Sequence, residues 1–373
     1  MINIDRRLIK NFDWITLGVA IAISLIGILT IYSATRPLGA QQQSPFYLKQ
    51  ISWLIIGLFA LFLIAGIDYV WINRLSLPLY LMGIALLIAV FIMGRTGMGA
   101  QRWLSLGPLS FQPSEFFKIL YIIMLAQYLS MLRSPLDTAS ILRVFFFITA
   151  FPFFLLAKQP DLGTALIILL IFLLLVAAKG LHRKVAVLFV IVALISMPFL
   201  GNIFWEGLKD YQKNRLVAFM EPEVDPSGIG YQLNQSKITV GSGEIIGKGY
   251  MRGTQGPFRF LPEKHTDFIF AAFSEEWGFL GSVFLVFLYL VLILRGLDTA
   301  SKARDDFGRF LALGITFMFL IYFFVNVGMT LGLMPVVGIP LPFMSYGGTA
   351  LLSNLISVGL LINVRTRRFE LFH

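Results

Sequence analysis

Long apolar runs occupy most of the chain, and they show no alternation of apolar and polar positions. Each run is rich in Leu, Ile and Phe, and its length approaches the roughly 20 residues that a helix needs to cross a bilayer. An outer-membrane barrel is excluded, because its strands would alternate. The predicted spans, about ten in number, lie at residues 14–34, 48–67, 76–95, 115–132, 141–157, 161–179, 184–203, 268–296, 308–332 and 343–364.

Composition supports the same fold class, an all-α polytopic membrane protein. Hydrophobic residues make up 57% of the 373 residues and charged residues 13%, whereas soluble chains carry about 25% charged residues. The first span follows Asp13 without a small-residue cleavage site, so we expect a retained helix. No linker or clear repeat divides the chain, and residues 1–373 are predicted to form a single transmembrane domain.

Basic residues in the short loops predict the orientation. Sixteen Lys and Arg residues flank one set of span ends and five flank the other, which places both termini in the cytoplasm. The net charge of +10 is therefore mainly a topology signal. Because the basic residues are scattered over many loop ends, nucleic acid is not an expected partner.

Three segments interrupt the helical pattern. Residues 204–266 form a long loop before the eighth span, predicted to be extracytoplasmic, and its aromatic residues predict a folded cap. Residues 96–114 and 335–348 contain Gly and Pro that exclude one continuous helix. Irregular backbone at membrane depth needs protein or water around it.

Metal and redox chemistry have little support. The chain has no Cys and three His far apart, which excludes disulfides, thiolate sites and a His-based motif. The acidic cluster at Glu221, Glu223 and Asp225 is either a solvated turn or a weak divalent-cation site. No cofactor is predicted with certainty. Gly247-Lys248 is not part of a phosphate-binding P-loop, because Gly249 replaces the required Ser or Thr and the spacing fails.

Charged residues at span ends are the candidates for chemistry, because burying them is costly. Glu115 and Lys118 stand three apart on one helix face, as an entry salt bridge or a pair lining a polar cavity. Asp161 either starts a helix or faces a site. Asp267, beside His265, is either a helix N-cap or an acid able to accept a proton from a substrate hydroxyl.

Several ordered motifs carry a resemblance to one family. They are Gln101–Trp103, Phe111–Lys118, Gln159–Thr164, Gln235–Ile238, Gly247–Gly249, Gly253–Gln255, Phe260–Phe270, Asn326–Met329 and Pro340–Gly348. Together they cover nearly the whole chain, which resembles the SEDS family (shape, elongation, division and sporulation), and its RodA branch more than its FtsW branch. One departure is Glu244, where the family pattern has Gly.

The resemblance implies a peptidoglycan glycosyltransferase of the bacterial cytoplasmic (inner) membrane that polymerises lipid II for cell elongation and rod shape. It implies that Asp267 is the essential loop acid, and that Glu115, Lys118 and Asp161 match the family's membrane residues. It also implies a class B penicillin-binding protein as partner. With an inverting transfer, Asp267 is the expected general base. The candidates for the diphosphate are Arg102, Lys118, Lys237, Lys248 and Arg259. His265, Ser345 and Tyr346 belong to the same motifs and complete the expected cavity.

Two other functions fit parts of the pattern. A transporter that flips lipid II would also use membrane charges and broken helices, although most acids here cluster toward one face. A non-catalytic scaffold for a penicillin-binding protein is compatible with the same surface. Glycan chains made by purified protein would separate a polymerase from both.

Overall fold

The computed structural model describes residues 11–36, 45–97, 100–106, 109–159, 161–181, 210–221, 228–254 and 261–369. These residues form a helical bundle, with one short three-stranded sheet. The helices are α1 (Trp14–Ala34), α2 (Phe46–Gly66), α3 (Tyr69–Arg74), α4 (Ser76–Met93), α5 (Pro113–Met131), α6 (Thr138–Lys158), α7 (Leu162–Lys179), α8 (Asp210–Met220), α9 (Ile229–Gly241), α10 (Ile269–Ser301), α11 (Asp306–Thr330) and α12 (Gly348–Thr366).

The polytopic helical fold is confirmed, because eight described helices are long and apolar enough to cross a membrane. They are α1, α2, α4, α6, α7, α10, α11 and α12. Helix α5 corresponds to the predicted span at 115–132. It is not among the eight, because Glu115, Lys118 and Gln127 make it less apolar. The predicted span at 184–203 lies outside the described residues, so the number ten stays a prediction.

The centre of the bundle is built from α5, α11 and α12, whose apolar side chains face neighbouring helices. Small residues allow close approach where α12 crosses α2. A Cβ at Gly359 would lie 2.8 Å from the carbonyl oxygen of Leu61. In a membrane, such packing replaces the hydrophobic effect as the force between helices.

Residues 95–111 differ from the all-α expectation. The strands β1 (Arg95–Gly97), β2 (Ala100–Leu106) and β3 (Leu109–Phe111) pair antiparallel in the order β1-β2-β3. The sequence predicted irregular backbone here because of its Gly and Pro residues. It gave no period-2 run long enough to predict strands.

Helix α10 is broken at Gly278, whose φ is +64°. The segment 243–249 docks against the break and binds the polar groups that the break frees. The main-chain N–H of Lys248 donates to Glu275 at 3.0 Å, and that of Phe279 donates to Glu244 at 2.9 Å. These bonds are needed because unpaired backbone groups at membrane depth are costly.

Two further helices, α8 and α9, lie within residues 204–266. Helix α9 and the start of α10 contribute to a small apolar cluster that includes Leu233, Leu261, Phe268 and Val336. This cluster lies against the end of α11, through Met329. It fixes the backbone on both sides of Asp267.

Candidate functional site

Asp267 stands at the last turn before α10, and backbone contacts hold it in place. The side-chain amide Nδ2 of Asn326, on α11, donates to the carbonyl of Asp267 at 3.0 Å and to that of Ile339 at 2.8 Å. The hydroxyl of Ser345 donates to the neighbouring carbonyl of Thr266 at 2.7 Å. The segment before α10 is thus joined to α11 and to the segment that precedes α12.

The carboxylate of Asp267 lies among charged groups from three parts of the chain. Burial raises the pKa of Asp267 to about 6, and the nearby Glu263 carboxylate adds to the effect. The guanidinium groups of Arg215 and Arg102 act in the opposite direction. A carboxylate with this pKa is ionised at neutral pH and remains basic enough to accept a proton.

Arg102, on β2, links Asp267 to a second acid. Its Nη1 lies 3.8 Å from Oδ1 of Asp161, and Oδ2 of Asp161 accepts a hydrogen bond from Ser114 at 3.0 Å. Asp161 is also the N-cap of α7, where it accepts a bond from the N–H of Thr164 at 3.4 Å. Asp161 therefore starts a helix and also lies beside Arg102, while its role in a substrate site stays a prediction.

Glu115 and Lys118 form a buried ion pair near the start of α5. Nζ of Lys118 lies 2.8 Å from Oε1 of Glu115, and Lys118 is only 1% exposed. The same ammonium lies 4.4 Å from the centre of the Tyr322 ring. Because Glu115 follows Ser114, this pair is adjacent to Asp161. Lys118 therefore points into the bundle and not toward its surface.

His265, Ser345 and Tyr346 connect the two segments that flank the site. The ring of His265 stacks on Phe46 with centres 4.7 Å apart, and its carbonyl accepts a bond from the N–H of Tyr346 at 2.8 Å. Burial lowers the pKa of His265, so the ring is neutral at pH 7. In the structure these three residues brace the backbone around Asp267.

The remaining basic candidates differ in their surroundings. Lys237 is exposed, and its side chain passes over Gly332. Lys248 is paired with Glu275 at 2.7 Å and also bonded to Thr254 at 3.1 Å. Glu275 lies eight residues beyond Asp267, roughly 12 Å along a helix, so Lys248 is distant from Asp267. Arg259 lies outside the described residues.

Two residues near Asp267 carried no role in the sequence prediction. Asn326 was part of a family motif, but its sequence neighbours give no sign that it bonds two carbonyls. Arg215 lies on α8, in a stretch of mixed polarity that predicts only a surface helix. Both act through the fold, which local sequence patterns do not reveal.

The described residues contain no group of three or more His, Asp or Glu side chains able to hold a metal ion. Glu221 is described, whereas Glu223 and Asp225 lie outside the described part of the chain. The choice between a solvated turn and a weak cation site there therefore stays open.

Known proteins resemble this chain over nearly its full length. The family model described as cell cycle protein FtsW/RodA/SpoVE matches residues 13–370. The peptidoglycan glycosyltransferase MrdB of Escherichia coli K12 is 38% identical over 362 residues, covering 96% of this chain and 94% of MrdB. The peptidoglycan glycosyltransferase RodA of Treponema pallidum is 34% identical, covering 97% and 99%.

Solved structures share the same architecture. A chain from a peptidoglycan synthase complex, described as coordinating polymerization and crosslinking, has a TM-score of 0.81 and 30% identity, covering 96% of this chain and 99% of its own. The rod shape determining protein RodA of Thermus thermophilus has a TM-score of 0.70 and 29% identity, covering 96% and 98%. The chain therefore belongs to the FtsW/RodA/SpoVE family.

Proposed function

We propose that this chain is a peptidoglycan glycosyltransferase that polymerises lipid II into β-1,4 glycan strands for cell elongation, with Asp267 as the general base. Relatives named for this activity cover nearly the whole chain. The observation that carries the residue assignment is the position of Asp267. Its backbone is fixed by Asn326, and its carboxylate lies between Arg102, Arg215 and Glu263.

The reaction is an inverting displacement. The Asp267 carboxylate takes the proton of the acceptor sugar's 4-hydroxyl as the oxygen attacks the anomeric carbon of the donor. The new glycosidic bond forms while the bond to the polyprenyl diphosphate breaks, and the diphosphate leaves with the electron pair. Diphosphate needs no protonation to leave, so one carboxylate suffices, unlike the pair used by glycoside hydrolases.

Cations near Asp267 would stabilise the departing diphosphate. Arg102 has the strongest support among the sequence candidates, because it reaches both Asp161 and the neighbourhood of Asp267. Glu115, Lys118 and Asp161 form the polar wall behind it. Lys248 has less support, because its ammonium is bonded to Glu275. The polyprenyl tails would lie between helices, in the surrounding lipid.

The two ends of α10 support the proposed membrane orientation. Arg295 and Arg365 both contact Asp13, at 2.6 and 3.3 Å, so the start of α1 and the last turn of α12 lie together. Asp267 lies before the break at Gly278, and roughly 25 Å of continuous helix separates that break from Arg295. This arrangement and the basic loops support cytoplasmic termini, with Asp267 at the outer face of the inner membrane.

A class B penicillin-binding protein is the proposed partner. The chain with a TM-score of 0.81 comes from a complex described as coordinating polymerization and crosslinking. A polymerase that works beside a cross-linking enzyme delivers new strands directly to it.

The experiment is lipid II polymerisation by purified full-length protein, with and without the partner. Asp267→Asn keeps the size of the side chain and removes its basicity, so it should abolish glycan chains at every pH. Asp137→Asn is the matched control, because Asp137 is an exposed N-cap of α6 and Asn caps helices equally well. Wild-type rates for Asp267→Asn would reject the assignment of the base. Lipid movement without glycan chains from the unaltered protein would favour a transporter.

A further inference from the structure

Arg215 extends from α8 to the segment between α11 and α12. Its Nη1 donates a hydrogen bond to the main-chain carbonyl of Val337 at 2.7 Å. The Val337 carbonyl is fixed in turn by its neighbours, because the Val337 and Ile339 side chains pack within 3.3 Å of the Cβ position of Gly163 on α7. The guanidinium is therefore attached to a rigid part of the bundle.

Gly338 lies beside both this guanidinium and the carboxylate of Asp267. Its φ is +78°, and a Cβ at this position would lie 3.4 Å from both Nη1 of Arg215 and Oδ2 of Asp267. The two atoms therefore lie within about 7 Å of each other. No ion pair joins the two side chains in the described part of the chain. A side chain at this position would contact both groups, and glycine avoids that contact.

We propose that Arg215 is a positioning residue of the transfer reaction, whose guanidinium, held on the Val337 carbonyl beside Gly338, keeps Asp267 ionised while leaving its carboxylate oxygens accessible. This inference rests on the proposed role of Asp267 as the base. A direct bidentate pair would occupy the oxygens that must take the proton. Without the guanidinium, burial would raise the pKa of Asp267 further and favour its protonated form.

The other charges near Asp267 set the balance that Arg215 completes. Glu263, four residues earlier, favours the protonated acid, and Arg102 favours the carboxylate. Arg102 also lies 3.8 Å from Asp161, whose negative charge offsets part of its effect. Burial lowers the pKa of His265, which favours the neutral ring.

The test is the pH profile of lipid II polymerisation by purified full-length Arg215→Gln between about pH 5 and 9. An opposite charge at this range lowers a carboxyl pKa by about one unit. We expect the acid limb of the profile to move up by about one pH unit. The rate should then fall about fivefold at pH 6 and return to the wild-type value above about pH 8.

Two variants on α8 control for charge and folding. Arg215→Lys keeps the charge, so the acid limb should lie close to its wild-type position. Lys213→Gln removes one positive charge from the same helix, but positions two apart do not share a face, and it should leave the profile unchanged. A rate for Arg215→Gln that falls by the same factor at every pH, or an equal shift in Lys213→Gln, would overturn the inference.

Glu263→Gln provides an independent measurement should Arg215→Gln fold poorly. It removes the negative charge that opposes Arg215, so the limb should move toward lower pH. An unmoved limb in this variant would contradict the electrostatic balance. Asp267→Asn is measured in parallel: if it remains active, the base itself is wrongly assigned. If it is inactive while Arg215→Gln leaves the limb in place, only the role of Arg215 is rejected.

Discussion

The side-chain amide of Asn326 binds the main-chain carbonyl of Asp267 and not its carboxylate. Nδ2 of Asn326 donates to the Asp267 carbonyl at 3.0 Å and to the Ile339 carbonyl at 2.8 Å. One amide on α11 thereby joins the start of α10 to the segment beside Gly338. The spacing between Asp267 and Arg215 depends on these two hydrogen bonds.

We predict that Asn326→Leu lowers both stability and activity. Two buried carbonyls lose their donor, at about 1–3 kcal/mol each, and a displaced base reduces the rate by on the order of 100-fold. Thermal melting in detergent and polymerisation of lipid II measure the two effects.

Asn363→Leu is the matched control. Asn363 also donates from one amide to two carbonyls, those of Ile64 and Ile67, but near the end of α12 remote from Asp267. It should lower the melting temperature while the surviving protein keeps its rate. Equal rates per folded molecule in both variants would contradict a special role for Asn326.

Asp267 should reduce the stability of the protein at neutral pH. Its folded pKa of about 6 lies above its ordinary value, so folding favours the neutral acid. That stabilisation is complete below about pH 4 and is lost as the pH rises through 6. We predict that Asp267→Asn is inactive but more stable than wild type at pH 8, by on the order of 2–3 kcal/mol.

Melting temperatures of both proteins between about pH 4 and 8 check this prediction. The difference should shrink as the pH falls, because wild-type Asp267 becomes neutral as well. A constant difference across the range would indicate a packing effect of the amide.

The sequence predicted more of the fold than of the site, for a physical reason. An apolar run such as Ser76–Met93 indicates by itself that the helix lies in lipid, without any knowledge of its neighbours. Asp267 and Asp161 were identifiable because acids beside apolar runs are unusual. Arg215 and Gly338 acquire their roles only where α8 meets the segment before α12, far away in sequence. The break at Gly278 was also missed, since its cause is a docked loop.

The buried pair of Glu115 and Lys118 should behave as a unit. Lys118→Met leaves Glu115 charged and unpaired in the bundle, which costs about 3–5 kcal/mol. Adding Glu115→Gln should restore much of that stability but not the activity, because the polar wall behind Asp161 remains altered. Melting temperatures of the two single variants and the double variant give the coupling.

A more exposed pair gives the comparison. Lys302 and Asp298 lie 2.6 Å apart, and their side chains are 56% and 31% exposed. Breaking the pair with Lys302→Met should cost no more than about 1 kcal/mol. If Lys118→Met were equally mild, the buried pair would contribute no more than an exposed one.

The docking of segment 243–249 on the α10 break can be tested through two glycines. Gly247 has φ +87°, and a Cβ there would overlap the carbonyl oxygen of Glu276. A methyl at Gly241, the last residue of α9, would meet nothing within 4 Å. Gly247→Ala should therefore push the loop off the break and expose backbone groups that have no other partner at this depth.

We expect a melting temperature lower by several degrees for Gly247→Ala, whereas Gly241→Ala should be neutral or slightly stabilising, because Ala favours helix. Because α10 starts two residues after Asp267, polymerisation should fall only in Gly247→Ala. Equal melting temperatures for the two variants would mean that the break is held open by α10 itself.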